Sequence, residues 1–169
     1  MADPPDGLHS RAPELEDLVE LCRRLNEAGV RYVLIGDFAV ILHGSVRGTK
    51  AIDLLVDASP ENVDVLRRAL LYLPDGAAGD IADDDIVRHV VVRVADEIVV
   101  DLMSRACGID YAEAVRSGGV EMYDLQGVQV PLATKALLIR LKDTVRPADA
   151  MDVQYLEMRI AEERGDDGN

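Results

Sequence analysis

Cysteine is nearly absent from this chain: Cys22 and Cys107 stand alone among 169 residues. They share no metal-ligand spacing and neither belongs to a CxxC pair, which argues against a zinc centre and a disulfide framework and leaves two buried, reduced thiols as the expectation. Long apolar runs are missing too. No stretch approaches the roughly 18 apolar residues a membrane span needs, and the opening MADPPDGLHSRAPELEDL has neither the basic flank nor the apolar stretch of a secretory signal. A cytoplasmic protein with no membrane partner is the default. Base is in short supply as well, 18 Lys and Arg against 32 Asp and Glu, for a net charge of -14. Such a chain repels a polyanion at long range, so generic nucleic-acid coating is disfavoured.

What is present fits one compact domain, with 49% hydrophobic residues in separated segments and no internal repeat. The domain is expected over residues 13–163, between a flexible Pro/Asp-rich start (1–12) and a flexible acidic tail (164–169). PELEDLVELCRRLNEAG places Leu15, Leu18, Val19, Leu21, Cys22 and Leu25 at helical spacing and stops at Gly29. VRYVLIG suits a buried strand, FAVILHG a short helix, and AIDLLVD a second strand. After Ser59-Pro60, ENVDVLRRALLYL reads as a helix with Val63, Val65, Leu66, Ala69 and Leu70 inward. IVRHVVVRV and EIVVDLM read as a β-hairpin, VQVPLAT as a further strand, and the remainder as two helices broken near Pro147. This order predicts a small α/β (α+β) domain: a mixed sheet flanked by helices, with helices at its C-terminus.

Two carboxylates make that sheet chemically interesting. Asp53 follows a polar, glycine-punctuated loop and shares a strand face with Ala51, Leu55 and Asp57; Asp101 interrupts an apolar β-branched run. A carboxylate in such a run is costly to bury without a cationic partner. Magnesium is one such partner, being a hard ion often held by one or two carboxylates plus substrate phosphates. The other reading has Asp101 facing water or paired with Arg93. His43 suits a buried histidine bonded to backbone better than a general base.

The succession YVLIGDFAVILHGSVRGTKAIDLLVD followed by EIVVDLM resembles the nucleotidyltransferase superfamily, and is similar in particular to the small bacterial toxin-type transferases of the AbiEii and minimal nucleotidyltransferase groups. The resemblance covers most of residues 14 to 155. In that family a strand ends in Gly-Gly or Gly-Ser, a short helix follows, the next strand carries Asp-x-Asp, and a third acid lies on a later strand. Carried over, Gly36 matches the first glycine, Asp53 the second acid of the pair and Asp101 the third. The resemblance implies an NTP substrate, two divalent ions (Mg2+ or Mn2+) on the carboxylates, and phosphate oxygens at the short helix and at Ser45, Arg47, Thr49 and Lys142. It also implies a protein or RNA hydroxyl as acceptor, and an antitoxin-like protein as a possible partner.

Two positions depart from the family pattern. Ala51 stands where the first acid of the pair belongs, and Asp37 where the second glycine or serine belongs. Asp37 suits an N-cap of the short helix; alternatively it is a substitute metal ligand beside Asp53 and Asp101. A natural degenerate transferase, an engineered inactive variant, and a site rescued by Asp37 are the three explanations. The expected function is therefore metal-dependent transfer of NMP from an NTP to a protein or RNA hydroxyl, impaired by Ala51. The alternative is a non-catalytic nucleotide- or protein-binding module.

Overall fold

The computed structural model describes residues 9–167. Seven α-helices, α1 (Leu15–Glu27), α2 (Gly36–Leu42), α3 (Pro60–Leu70), α4 (Asp85–Arg88), α5 (Tyr111–Arg116), α6 (Lys135–Leu141) and α7 (Pro147–Asp167), occur among the described residues. The strands are β1 (Tyr32–Ile35), β2 (Ala51–Val56), β3 (Val92–Ala95), β4 (Val99–Met103), β5 (Arg105–Ala106), β6 (Ile109–Asp110), β7 (Val120–Leu125) and β8 (Val128–Ala133). Six of them form one mixed sheet in the order β3-β4-β2-β1-β8-β7, while β5 and β6 form a separate ribbon. β2 runs parallel to β4 and antiparallel to β1, and β1 runs parallel to β8. The fold class is the mixed α/β architecture expected from the sequence.

Local chemistry explains most boundaries. Glu14 and Asp17 form a capping box at the start of α1, and Gly29, at φ 72, ends it. The inward face of α1 is Leu18, Val19, Leu21, Cys22 and Leu25; Leu15, expected to join them, is exposed. Ser59 caps α3, whose first turn begins with Pro60, and Val63, Leu66 and Leu70 are buried while Val65 and Ala69 pack at the core's edge. Every residue of β1 is buried, as are Ile52, Leu54, Leu55 and Val56 of β2. α1 packs on α3 and β8, α2 lies against β2, and α6 lies against α7 and α2.

The structure departs from several local expectations. The run IVRHVVVRV is not one strand: Asp85–Arg88 is helical, its first turn tied by the Asp85 carboxylate to the Ala82 N–H, and only Val92–Ala95 joins the sheet. α5 and β7 are additional elements. Cys22 is buried, but Cys107 is exposed in the β5–β6 turn at φ 48. Residues 1–8 of the expected flexible start lie outside the described residues. Ser10 and Arg11 bond to the carbonyls of Asp96 and Glu97 in the β3–β4 turn. α7 continues through 164–167 of the expected tail; 168 and 169 lie outside the described residues. No described helix is long and apolar enough to cross a membrane.

Candidate functional site

Strand register assembles the site. Arg93 of β3 stands opposite Asp101 of β4, Asp101 opposite Asp53 of β2, and Asp53 opposite Ile35 at the end of β1. Opposed residues on paired strands project from the same face about 5 Å apart, so these four form one row across the sheet. Gly36 follows Ile35 directly and opens α2 at φ 73. A Cβ at Gly36 would sit 2.1 Å from Oδ2 of Asp53. Glycine is therefore required twice, for its backbone conformation and for the space its missing side chain leaves to the carboxylate.

The two carboxylates differ in state. Both oxygens of Asp101 accept from the Arg93 guanidinium, Oδ1 from Nε at 2.9 Å and Oδ2 from Nη2 at 3.0 Å. Asp101 is buried, so this fork removes the cost of its charge. Among the described residues, no hydrogen bond or ion pair reaches the Asp53 carboxylate. Burial first, then the charges of Asp101 and Asp37, push Asp53 up to about 7, against the opposing pull of Lys142 and Arg93. Asp53 is the group in this row that still lacks a cation.

Both carboxylates open onto one cleft of about 590 Å³, lined also by Asp37, Thr49, Lys50, Ala51, Arg93 and Arg146. Ala51 lies two residues before Asp53 on β2 and therefore on the same face of the strand. At that position the chain presents only a methyl group to the cleft.

The remaining predicted residues divide into two groups. Thr49 reaches the cleft, but its hydroxyl donates to the Ala51 carbonyl at 2.9 Å. Ser45 does not line the cleft; its N–H bonds to the Val40 carbonyl at the end of α2. Arg47 and Lys142 turn into a separate ion network. Arg47 pairs with Asp37 at 2.6 Å and with Asp152. The Lys142 ammonium, 7% exposed, lies 2.8 Å from Asp152, 3.5 Å from Asp37 and 3.6 Å from Asp149. This network ties the start of α2 to α7. Asp37 is thus not the N-cap of α2, a position held by Ile35 without a side-chain bond, and its carboxylate is engaged by two cations. His43 bonds the Ala133 carbonyl at 2.8 Å, and burial pushes it below its ordinary range.

Lys50, Arg93 and Arg146 are the cations that line the cleft. Arg146, in the loop between α6 and α7, reaches the cleft where Lys142, at the end of α6, does not. No group of three or more His, Cys, Asp or Glu among the described residues could hold a metal ion. Asp53 and Asp101 are the two carboxylates of the row that could hold a hard cation, which would need other oxygen ligands from outside the protein. No protein-family model and no curated protein matches this chain.

Proposed function

We propose that this chain is a nucleotidyltransferase-fold protein, similar to the small toxin-type AbiEii-like transferases, that binds an NTP with Mg2+ or Mn2+ and is weakened for transfer of NMP to a protein or RNA hydroxyl. The observation that carries the reading is the register match of Asp53 and Asp101 beside Gly36, in a cleft that Ala51 also lines. Asp53 and Asp101 would hold the ion, whose chemistry is to neutralise and polarise the phosphoryl group under attack. Lys50 and Arg146 offer ammonium and guanidinium donors to phosphate oxygens along the cleft wall. Phosphoryl transfer asks mainly for positioning and charge neutralisation, so one absent ligand lowers activity steeply without removing the binding site.

The second reading, a non-catalytic nucleotide- or protein-binding module, draws on the same Ala51 and on the Arg93 fork that already neutralises Asp101. Turnover separates them. The original chain, Ala51→Asp, and Ala51→Asp with Asp53→Asn are incubated with each labelled NTP, Mn2+ and a cell extract containing protein and RNA. Label transferred by Ala51→Asp and lost on adding Asp53→Asn is the expected result. Silence from a folded Ala51→Asp protein would favour the binding module.

A further inference from the structure

A second cleft, of about 590 Å³, opens beyond the carboxyl ends of the parallel strands β2 and β4 and shares no lining residue with the cleft of Asp53 and Asp101. Loops that follow parallel strands are a frequent seat for ligands. Much of the lining is apolar: Val56 and Ala58 at the end of β2, Val87 of α4, and Ala112 and Val115 of α5. Val87 is 63% exposed and Val115 50%. A ligand lying across both would take out of water apolar surface that the fold itself leaves wet.

The polar groups of this cleft divide by what already holds them. Asp57 accepts from Arg31 at 2.6 Å and from the Ser59 N–H at 3.0 Å, and Asp110, the N-cap of α5, accepts from the Glu113 N–H at 2.9 Å. Arg116 is paired with Glu113. Arg105 stands opposite Asp110 in the β5–β6 ribbon, yet no hydrogen bond or ion pair among the described residues reaches its guanidinium. The Ser104 and Tyr111 hydroxyls, on the same lining, are likewise without a hydrogen bond among the described residues. Three donors therefore line a largely apolar cleft with their bonds unmade, and one of them is a fixed positive charge.

We infer that this cleft binds a small monocarboxylate with an aliphatic or aromatic body, the carboxylate on the Arg105 guanidinium and the body across Val87 and Val115. The site is separate from the candidate nucleotide cleft and does not rest on the nucleotidyltransferase reading. A guanidinium offers two parallel N–H donors to the two oxygens of a carboxylate. The Ser104 and Tyr111 hydroxyls add neutral donors for the remaining lone pairs. One uncommitted cation matches one negative charge. A dianion such as a phosphate monoester would bring its second charge close to Asp57 and Asp110 while Arg116 is already paired, and a cationic ligand would be repelled by Arg105. Small-molecule sites commonly span roughly 300–1,000 Å³, with an apolar lining and a few convergent polar groups, and this cleft has both properties.

The test is an amide-resonance titration of the full chain with 4-phenylbutyrate, its neutral amide 4-phenylbutyramide and the cation 4-phenylbutylamine, repeated with Arg105→Gln, Arg116→Gln and Val115→Glu. All three substituted residues are exposed, and circular dichroism confirms that each variant is folded. Saturable shifts are expected at the amides of Arg105, Tyr111 and Val115, with those of Asp53 and Asp101 unmoved. The acid should bind about tenfold tighter than its amide, the amine should bind more weakly than either, and Arg105→Gln should erase the preference for the acid. Arg116→Gln should leave that preference in place, because Arg116 is held by Glu113. Val115→Glu should weaken acid and amide together by setting a charge against the apolar body. Acid and amide binding alike to the original chain, an Arg105→Gln variant that keeps the preference, or no saturable shift up to about 10 mM ligand would overturn the site. Shifts centred on Lys50 and Arg146 would put the anion in the other cleft and overturn it as well.

Discussion

Asp53→Asn should stabilise the metal-free protein at alkaline pH. The Asp53 carboxyl is pushed from its ordinary 3.8 up to about 7 by burial and by the neighbouring Asp101 and Asp37. A group that binds its proton more tightly when folded supports folding while protonated, and loses that support as pH rises from about 4 to about 7; above that the loss is complete. At roughly 1.4 kcal/mol per pKa unit, the ionised carboxylate costs a ceiling of about 4 kcal/mol. Partial exposure to the cleft reduces this, so a gain of about 2–4 kcal/mol is expected for the neutral isostere at pH 8, against little change at pH 4. For a chain of this size that is on the order of 5–15 °C in Tm. Tryptophan is absent, so urea unfolding followed by far-ultraviolet circular dichroism, in chelator at both pH values, is the suitable assay. A variant no more stable than the original at pH 8 would mean that Asp53 ionises freely in water and is not a carboxylate awaiting a cation.

Gly36→Ala combines a left-handed backbone with a Cβ that would sit 2.1 Å from Oδ2 of Asp53, and should cost about 2–4 kcal/mol by the same urea assay, partly relieved by adding Asp53→Ala. Lys142→Met removes the buried ammonium among Asp37, Asp149 and Asp152 and should cost about 3 kcal/mol. High salt should recover little of that loss in a melting curve, because buried charges are weakly screened.

The sequence made the carboxylate row half legible. Alternation along AIDLLVD and EIVVDLM fixes which face each aspartate shares within its own strand, but only the parallel pairing of β2 with β4 puts Asp53 opposite Asp101. Arg93 opposite Asp101 was one reading open for that carboxylate, and the hairpin register brings the two residues together. The network around Lys142 was hidden, since its partners lie on α2, α7 and the loop before β2, far apart in the chain. Arg47 and Lys142, expected at phosphate, are paired with its carboxylates, while Arg146 lines the cleft wall. β7 escaped because VEMYDL is exposed on much of both faces of an edge strand, which erases the period-two pattern. α4 escaped because a β-branched run outweighed the local Asp85 bond that starts its turn.

The central claim is that a divalent ion accompanied by nucleotide phosphates binds at Asp53 and Asp101. Paramagnetic broadening of amide resonances by Mn2+ in the presence of ATP, on the chain as it stands, tests it most directly. The amides of Gly36, Asp53 and Asp101 should broaden first, and Asp53→Asn should abolish the effect with the spectrum otherwise unchanged. Broadening centred on the acidic segment Asp83, Asp84 and Asp85 or on Glu162 and Glu163 of α7, with the three cleft amides left sharp, would contradict it.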